Sequence, residues 1–242
     1  MASLYKGATL GAVVALSYLL NVSMTEQHRV TSRTDPHHDA TRSLSAGRPA
    51  QAPNVMGTVA LTVDNVRQAE RWRVVVNSPV PNRPEITELL RTLRGQPRMR
   101  QLDLVNRWMN HRLEFALDQE VYGVADHWAP LSESLPRGRG DCEDYAIGKM
   151  QLLRVTGVPT RDMYMVIARD LVRNSDHHAL LVVHVVNEFI VLDSSNDLLL
   201  TDREAKDYQP VISFSGSQSW VHGYQQAEAS LIADRVFCDL DA

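Results

Sequence analysis

The sequence predicts an α+β fold in which N-terminal helices pack on an antiparallel sheet. Apolar residues recur at helical spacing between residues 63 and 156. Beyond Gly157 and Pro159 the spacing shortens to two and β-branched residues crowd in. Helices first and strands afterwards favour α+β over a repeated strand–helix–strand unit.

The 242 residues carry 44% hydrophobic and 22% charged side chains with a net charge of −4, enough for one well-buried core or two small ones. Charges of both signs are interspersed, so no basic footprint points to nucleic acid as a partner. Lys6 followed by the apolar run GATLGAVVALSYLLNV has the order of a secretory signal. Asn21, Val22, Ser23 and Met24 make a poor cleavage site, so residues 1–24 read as a signal peptide or an uncleaved anchor. Residues 25–55, with Pro36, Pro49, Pro53 and His37-His38, read as a polar linker, which leaves 56–242 for the folded domain. Cys142 and Cys238 are the two cysteines; a chain of this length does not need a disulfide staple, and Cys142 lies in a better context for chemistry.

Taken in order, VDNVRQAERWRVVV (63–76) predicts a first helix closed by the proline-rich turn at 77–84. Residues 85–94 form a second, ended by Gly95. A third spans 102–117, with Leu104, Val105, Trp108, Met109, Phe115 and Ala116 on one stripe and Trp108 in the core. A loop through Tyr122 to Pro130, then a stretch with Pro136, Gly138 and Gly140, delivers the chain to Asp141. Asp141 caps a helix over 142–156, Asp144 is its capping-box partner, and Gly157 and Pro159 stop it. Strands are predicted at 163–168, 178–186 and 189–193, with 211–214 a candidate fourth.

Cys142 occupies the first helical turn, where free N–H groups and the positive dipole end favour a thiolate. Asp141, Glu143 and Asp144 oppose that ionisation. Among the nearby histidines, strand register separates His177, His178 and His184. If 185–188 form the hairpin loop, His184 faces Phe189 and Leu180 faces Asp193, which puts Asp193 diagonal to His178 on one face. His177 then points to the other face, and a slip of one residue would exchange them. Cys142, His178 and Asp193 thus make a nucleophile, base and orienting acid.

Gly140-Asp-Cys-Glu-Asp-Tyr-Ala-Ile-Gly-Lys149, followed by Gly157-Val-Pro159, His178-Ala-Leu-Leu181 and Val191-Leu-Asp193, resembles the bacterial transglutaminase-like cysteine proteinases of the LapG type. Val105-Asn-Arg-Trp-Met-Asn110, Asp126-His-Trp-Ala-Pro130 and Pro210-Val-Ile-Ser-Phe214 extend the likeness in the same order. The departures are Asp193-Ser194 where Asp-Asn is usual, and Tyr122-Gly123 where Trp-Gly is usual. The resemblance implies a papain-like, transglutaminase-like fold with Cys142 as nucleophile, His178 as base and Asp193 as orienter. It also implies a periplasmic, calcium-dependent protease that cuts a large surface adhesin near its N-terminus and so releases biofilm. Its regulator would be an inner-membrane cyclic di-GMP receptor, and Trp128 is the expected aromatic of an exposed docking groove.

A hard divalent cation, Ca2+ in the resemblance, would cancel the charge around the thiol if Asp141 and Glu143, joined by Asp144, were ligands together with carbonyls of the preceding loop. The alternative is that the three acids only cap the helix. Two other functions share these residues: an amidase acting on peptidoglycan or glutamine side chains, and a calcium-dependent binding module without catalysis.

Overall fold

The computed structural model describes residues 49–64 and 66–224. Residues 1–24, read as a signal peptide or anchor, most of the segment read as a linker, and Cys238 lie outside the described residues. The helical half consists of α1 (Ala69–Asn77), α2 (Pro84–Leu93), α3 (Arg98–Asn110), the short α4 (Asp118–Val121), α5 (Leu131–Arg137) and α6 (Cys142–Val155). Two short strands, β2 (Glu114–Phe115) and β3 (Arg139–Gly140), pair in parallel within it. The other strands are β1 (Val59–Thr62), β4 (Met163–Asp170), β5 (Ser175–Val185), β6 (Glu188–Leu192), β7 (Leu200–Thr201), β8 (Tyr208–Ser215) and β9 (Gln218–Gly223). They form one antiparallel sheet in the order β1-β9-β8-β4-β5-β6-β7.

Helix α6 is buried over nearly its whole length, which is why its sequence is apolar around much of the cylinder rather than along one stripe. Asp141 is its extended N-cap residue, although its side chain makes no capping hydrogen bond, and the Asp141 backbone N–H is near enough to Asp144 to favour its carboxylate. Gly157, at φ 91°, ends the helix. One face of α6 lies on β5 and the other on α3. That approach is so close that a Cβ at Gly148 would sit 2.6 Å from the Met109 methyl.

Helix α6 also carries a buried lysine. Lys149 is fully enclosed, its Nζ has no hydrogen-bond partner among the described residues, and the Tyr145 ring centroid is 6.0 Å away. Burial pushes the ammonium down to about 7, against a partial counter-pull from Asp193 and Asp197. The unfolded chain, whose lysine has an ordinary value near 10.5, therefore binds more protons between about pH 7 and about pH 10.5, and stability rises with pH across that window. Lys149→Met, similar in length and apolar, is expected to melt a few degrees above wild type at neutral pH, at roughly 2–4 °C per kcal/mol for this size. Melts at about pH 7 and about pH 10 test this, because the advantage should shrink at the higher pH. An equal advantage at both would exclude an ammonium as its source.

The structure departs from the sequence reading at several places. Helix α3 stops at Asn110, and Phe115, instead of sharing its stripe, lies in β2 and is exposed. Trp108 packs at the margin of the core with Arg112 5.1 Å over its ring, lining a surface groove of about 570 Å³ between α2 and α3. Trp128 lines no exposed groove: it is buried and meets Phe214 edge-on, since the loop that carries it folds inward. Strands β1, β7 and β9 add to the anticipated ones, and the sheet is covered on both faces. Ala179, Leu181 and Val183 face the helices, while Leu180 and Val182 join Val55, Tyr164 and Trp220 in a second core. Residues 49–55, inside the segment read as linker, help build that second core: Ala50 N–H donates to Gln218 and Val55 is fully buried.

Candidate active site

The β5–β6 hairpin turns through Val186 and Asn187, with His184 opposite Phe189 and Leu181 opposite Leu192. Extending that register by one residue places Asp193 opposite Leu180, the arrangement expected from the sequence. His178 Nε2 and Asp193 Oδ1 are 2.8 Å apart, and both side chains are largely enclosed. His177, one residue back, is exposed. Asp193 takes three further hydrogen bonds on its carboxylate: from Ser195 N–H at 3.0 Å, Ser195 Oγ at 2.7 Å and Tyr208 OH at 2.5 Å. Burial alone would raise its pKa, but the His178 contact, with Ser195 and Tyr208, holds the carboxyl well below the usual range. Asn110 at the end of α3 anchors the loop beneath by donating to the carbonyls of Asp193 and Asn196.

Cys142 opens α6, and its sulfur lies against the backbone N–H of Ala179, the residue after His178. Packing of α6 on β5 thus carries Cys142 to the strand that holds the histidine. Asp193 uses Nε2, which leaves Nδ1 as the ring nitrogen available to a thiol. In this arrangement the S–H donates instead to Glu143 Oε2 at 3.0 Å. Burial first, then the charge and hydrogen bond of Glu143, push the thiol up; the Ala179 N–H acts in the opposite sense.

Beside the thiol lies a cluster of acids. Asp118, Asp141 and Asp144 each bring one oxygen within 4.8 Å of the others. Asp118 Oδ1, Asp141 Oδ1 and Asp144 Oδ2 are buried with no hydrogen-bond partner among the described residues. Burial and mutual repulsion push Asp141 up to about 10 and Asp144 up to about 8, and raise Asp118 as well. The second oxygens of two of them are held in place: Asp144 Oδ1 accepts from Ala129 N–H at 2.8 Å, and Asp118 Oδ2 accepts from His127 N–H. Gly140 makes room, since a Cβ there would lie 2.4 Å from Asp144 Oδ2. Three converging, unpartnered hard oxygens, two of them on carboxylates whose second oxygen is fixed, fit a divalent cation of the calcium class.

Of the expected ligands, the structure brings Asp141 and Asp144 together. Glu143 sits at the edge of the cluster, where it accepts from the thiol and helps to raise Asp141. Asp118 escaped the sequence reading because no local pattern marks it. It arrives through the β2–β3 pairing, in which Phe115 lies opposite Gly140 and Ala116 N–H donates to the Gly140 carbonyl.

A thiol at a helix start, against the strand that carries an imidazole–carboxylate pair, on helices packed against an antiparallel sheet, is the plan of the transglutaminase-like cysteine enzymes. The chain belongs to the bacterial transglutaminase-like cysteine proteinases, whose family profile matches residues 84–227. It is similar in structure to calcium-bound Legionella pneumophila LapG, with a TM-score of 0.53 and 25% identity over 69% of this chain and 98% of that one. The EGTA-treated form of the same protein aligns at a TM-score of 0.52 and 26% identity, over 66% and 88%. No curated protein sequence matches the chain.

Proposed function

We propose that this protein is a calcium-dependent periplasmic cysteine endopeptidase that cleaves a large surface adhesin near its N-terminus and so disperses biofilm, under the control of an inner-membrane cyclic di-GMP receptor. The observation that carries the proposal is that α6 sets the Cys142 sulfur against the Ala179 N–H, one residue beyond the histidine of a His178–Asp193 couple, and beside a cluster of unpartnered acids.

In this reading His178 Nδ1 takes the thiol proton and the Cys142 sulfur attacks the scissile carbonyl carbon. The first-turn N–H groups of α6, which have no intrahelical acceptor, favour the developing negative charge. The tetrahedral intermediate collapses, the C–N bond breaks, and the imidazolium returns its proton to the departing amine. Water, activated by the same histidine, then hydrolyses the thioester. Asp193 holds the ring and compensates its charge. Asp118, Asp141 and Asp144 would hold the cation, with Glu143 beside them. When bound, it supplies positive charge that offsets the acids around Cys142 and braces the helix start.

The N-terminal segment of an adhesin from the same genome, incubated with the purified protein in calcium and in chelator, tests the assignment. Cleavage at one peptide bond in calcium alone, located by mass spectrometry, is the expected result. Loss of glutamine side-chain amide with the backbone intact would transfer the protein to the amidase class.

A further inference from the structure

Tyr208 touches both members of the His178–Asp193 couple, although it comes from a strand that pairs with neither of their own. Its hydroxyl donates to Asp193 Oδ2, and its ring stacks on the His178 imidazole with centroids 5.4 Å apart and planes 20° from parallel. Strand β4 separates them: Ala168 pairs with His178 on one side and Pro210 on the other, and Asp170 pairs with Tyr208. Side chains on strands once removed stand roughly 10 Å apart at the backbone, so the rings must lean together across β4. Two features of β4 permit this. Its intervening residue is alanine, fully buried and too small to part the rings, and its pairing slips on both sides next to that residue.

The two Asp193 oxygens are thereby divided. Oδ1 takes His178 and the Ser195 N–H, while Oδ2 is filled by the hydroxyls of Tyr208 and Ser195. With Oδ2 occupied, Asp193 offers His178 only Oδ1, and the stacked ring stops the imidazole tipping out of that contact. Burial and the carboxylate beside it push the Tyr208 hydroxyl up, so it remains a donor throughout the neutral range.

We propose that Tyr208 is a positioning residue for catalysis, fixing the His178 ring by stacking and the Asp193 carboxylate by hydrogen bonding, so that the imidazole keeps the orientation that engages Asp193 through Nε2 and leaves Nδ1 for the thiol. The proposal rests on the assignment of Cys142, His178 and Asp193 as the hydrolytic set. Tyr208→Phe keeps the ring and loses the hydroxyl; Tyr208→Leu loses both.

Two effects of the lost hydroxyl oppose each other. A carboxylate freed of one donor attracts the imidazolium more strongly, which by itself would leave thiol activation equal or faster. A carboxylate free to turn, with a ring free to follow, loses aim, and small displacements of a base cost about tenfold or more. Positioning is expected to win because the compact site has no other group to hold Oδ2 except Ser195.

The test is the rate of Cys142 alkylation by iodoacetamide in calcium-containing buffer, read on the Cys142 peptide by mass spectrometry, together with each variant's Tm. Tyr208→Phe is expected to slow alkylation about tenfold, at a Tm close to wild type, and Tyr208→Leu to slow it further. If His178→Ala slows alkylation while Tyr208→Phe matches or exceeds wild type, the positioning role is overturned and the hydrolytic set stands. If His178→Ala itself leaves the rate unchanged, the underlying assignment fails. A Tyr208→Phe variant that loses Tm in proportion to reactivity would mark the tyrosine as a packing residue and overturn the proposal.

Discussion

Cys142→Ala is expected to reduce proteolysis by at least about a thousandfold while the protein still folds, because the bond-forming atom is gone and only substrate binding and the helix-start dipoles remain. The stability cost should be about 1 kcal/mol, since the side chain removed is small and lies at the margin of the main core. His178→Ala should be equally damaging, and the double variant no worse than either single one, because the pair acts as a unit. His177→Ala is the internal control: its side chain is exposed and its register points it away from Asp193, so activity should stay within about twofold of wild type. Steady-state cleavage of the adhesin segment, with circular dichroism on each variant, checks all four. Turnover retained by Cys142→Ala would end the cysteine-proteinase mechanism for this chain.

Removal of the cation is expected to have the next largest effect. Chelation should abolish activity and lower Tm, and calcium should restore both better than magnesium, since three carboxylates drawn from two segments suit a larger, more pliable coordination shell than a tight octahedron. Asp118→Asn discriminates a ligand from a bystander by sign. In chelator the variant should be at least as stable as wild type, because one of three buried, mutually repelling carboxyls has become neutral. In calcium it should lose most of the metal-induced rise in Tm and need about tenfold or more calcium for half-maximal activity. Gly140→Ala should give a similar defect without removing a ligand, as its methyl group would strike the Asp144 carboxylate. Full activity of Asp118→Asn in chelator would show that the cluster holds no required ion.

Local sequence determined the order and most bounds of the elements that carry the site. Helix α6 was legible because its cap, its first-turn acids and its stop at Gly157 and Pro159 all lie within twenty positions of one another. The contact between His178 and Asp193 was legible for a similar reason: the hairpin keeps the expected pairing of His184 with Phe189, although Val185 and Glu188 pair and the turn is two residues instead of the four expected, and a period of two then decides which side chains share a face. What came from afar was not legible. Asp118 joins Asp141 and Asp144 only through the two-residue β2–β3 bridge, too short to leave a periodic trace. Tyr208 reaches His178 because Ala168 is small and β4 slips in register, facts that acquire meaning only once β5 and β8 flank the same strand. Trp128 reads as a surface aromatic in a loop until Phe214, on β8, is seen to enclose it. Periodicity and turn chemistry are stored in the spacing of near neighbours, whereas the partners of a buried carboxylate or a stacked ring are chosen by which distant segments the fold brings together.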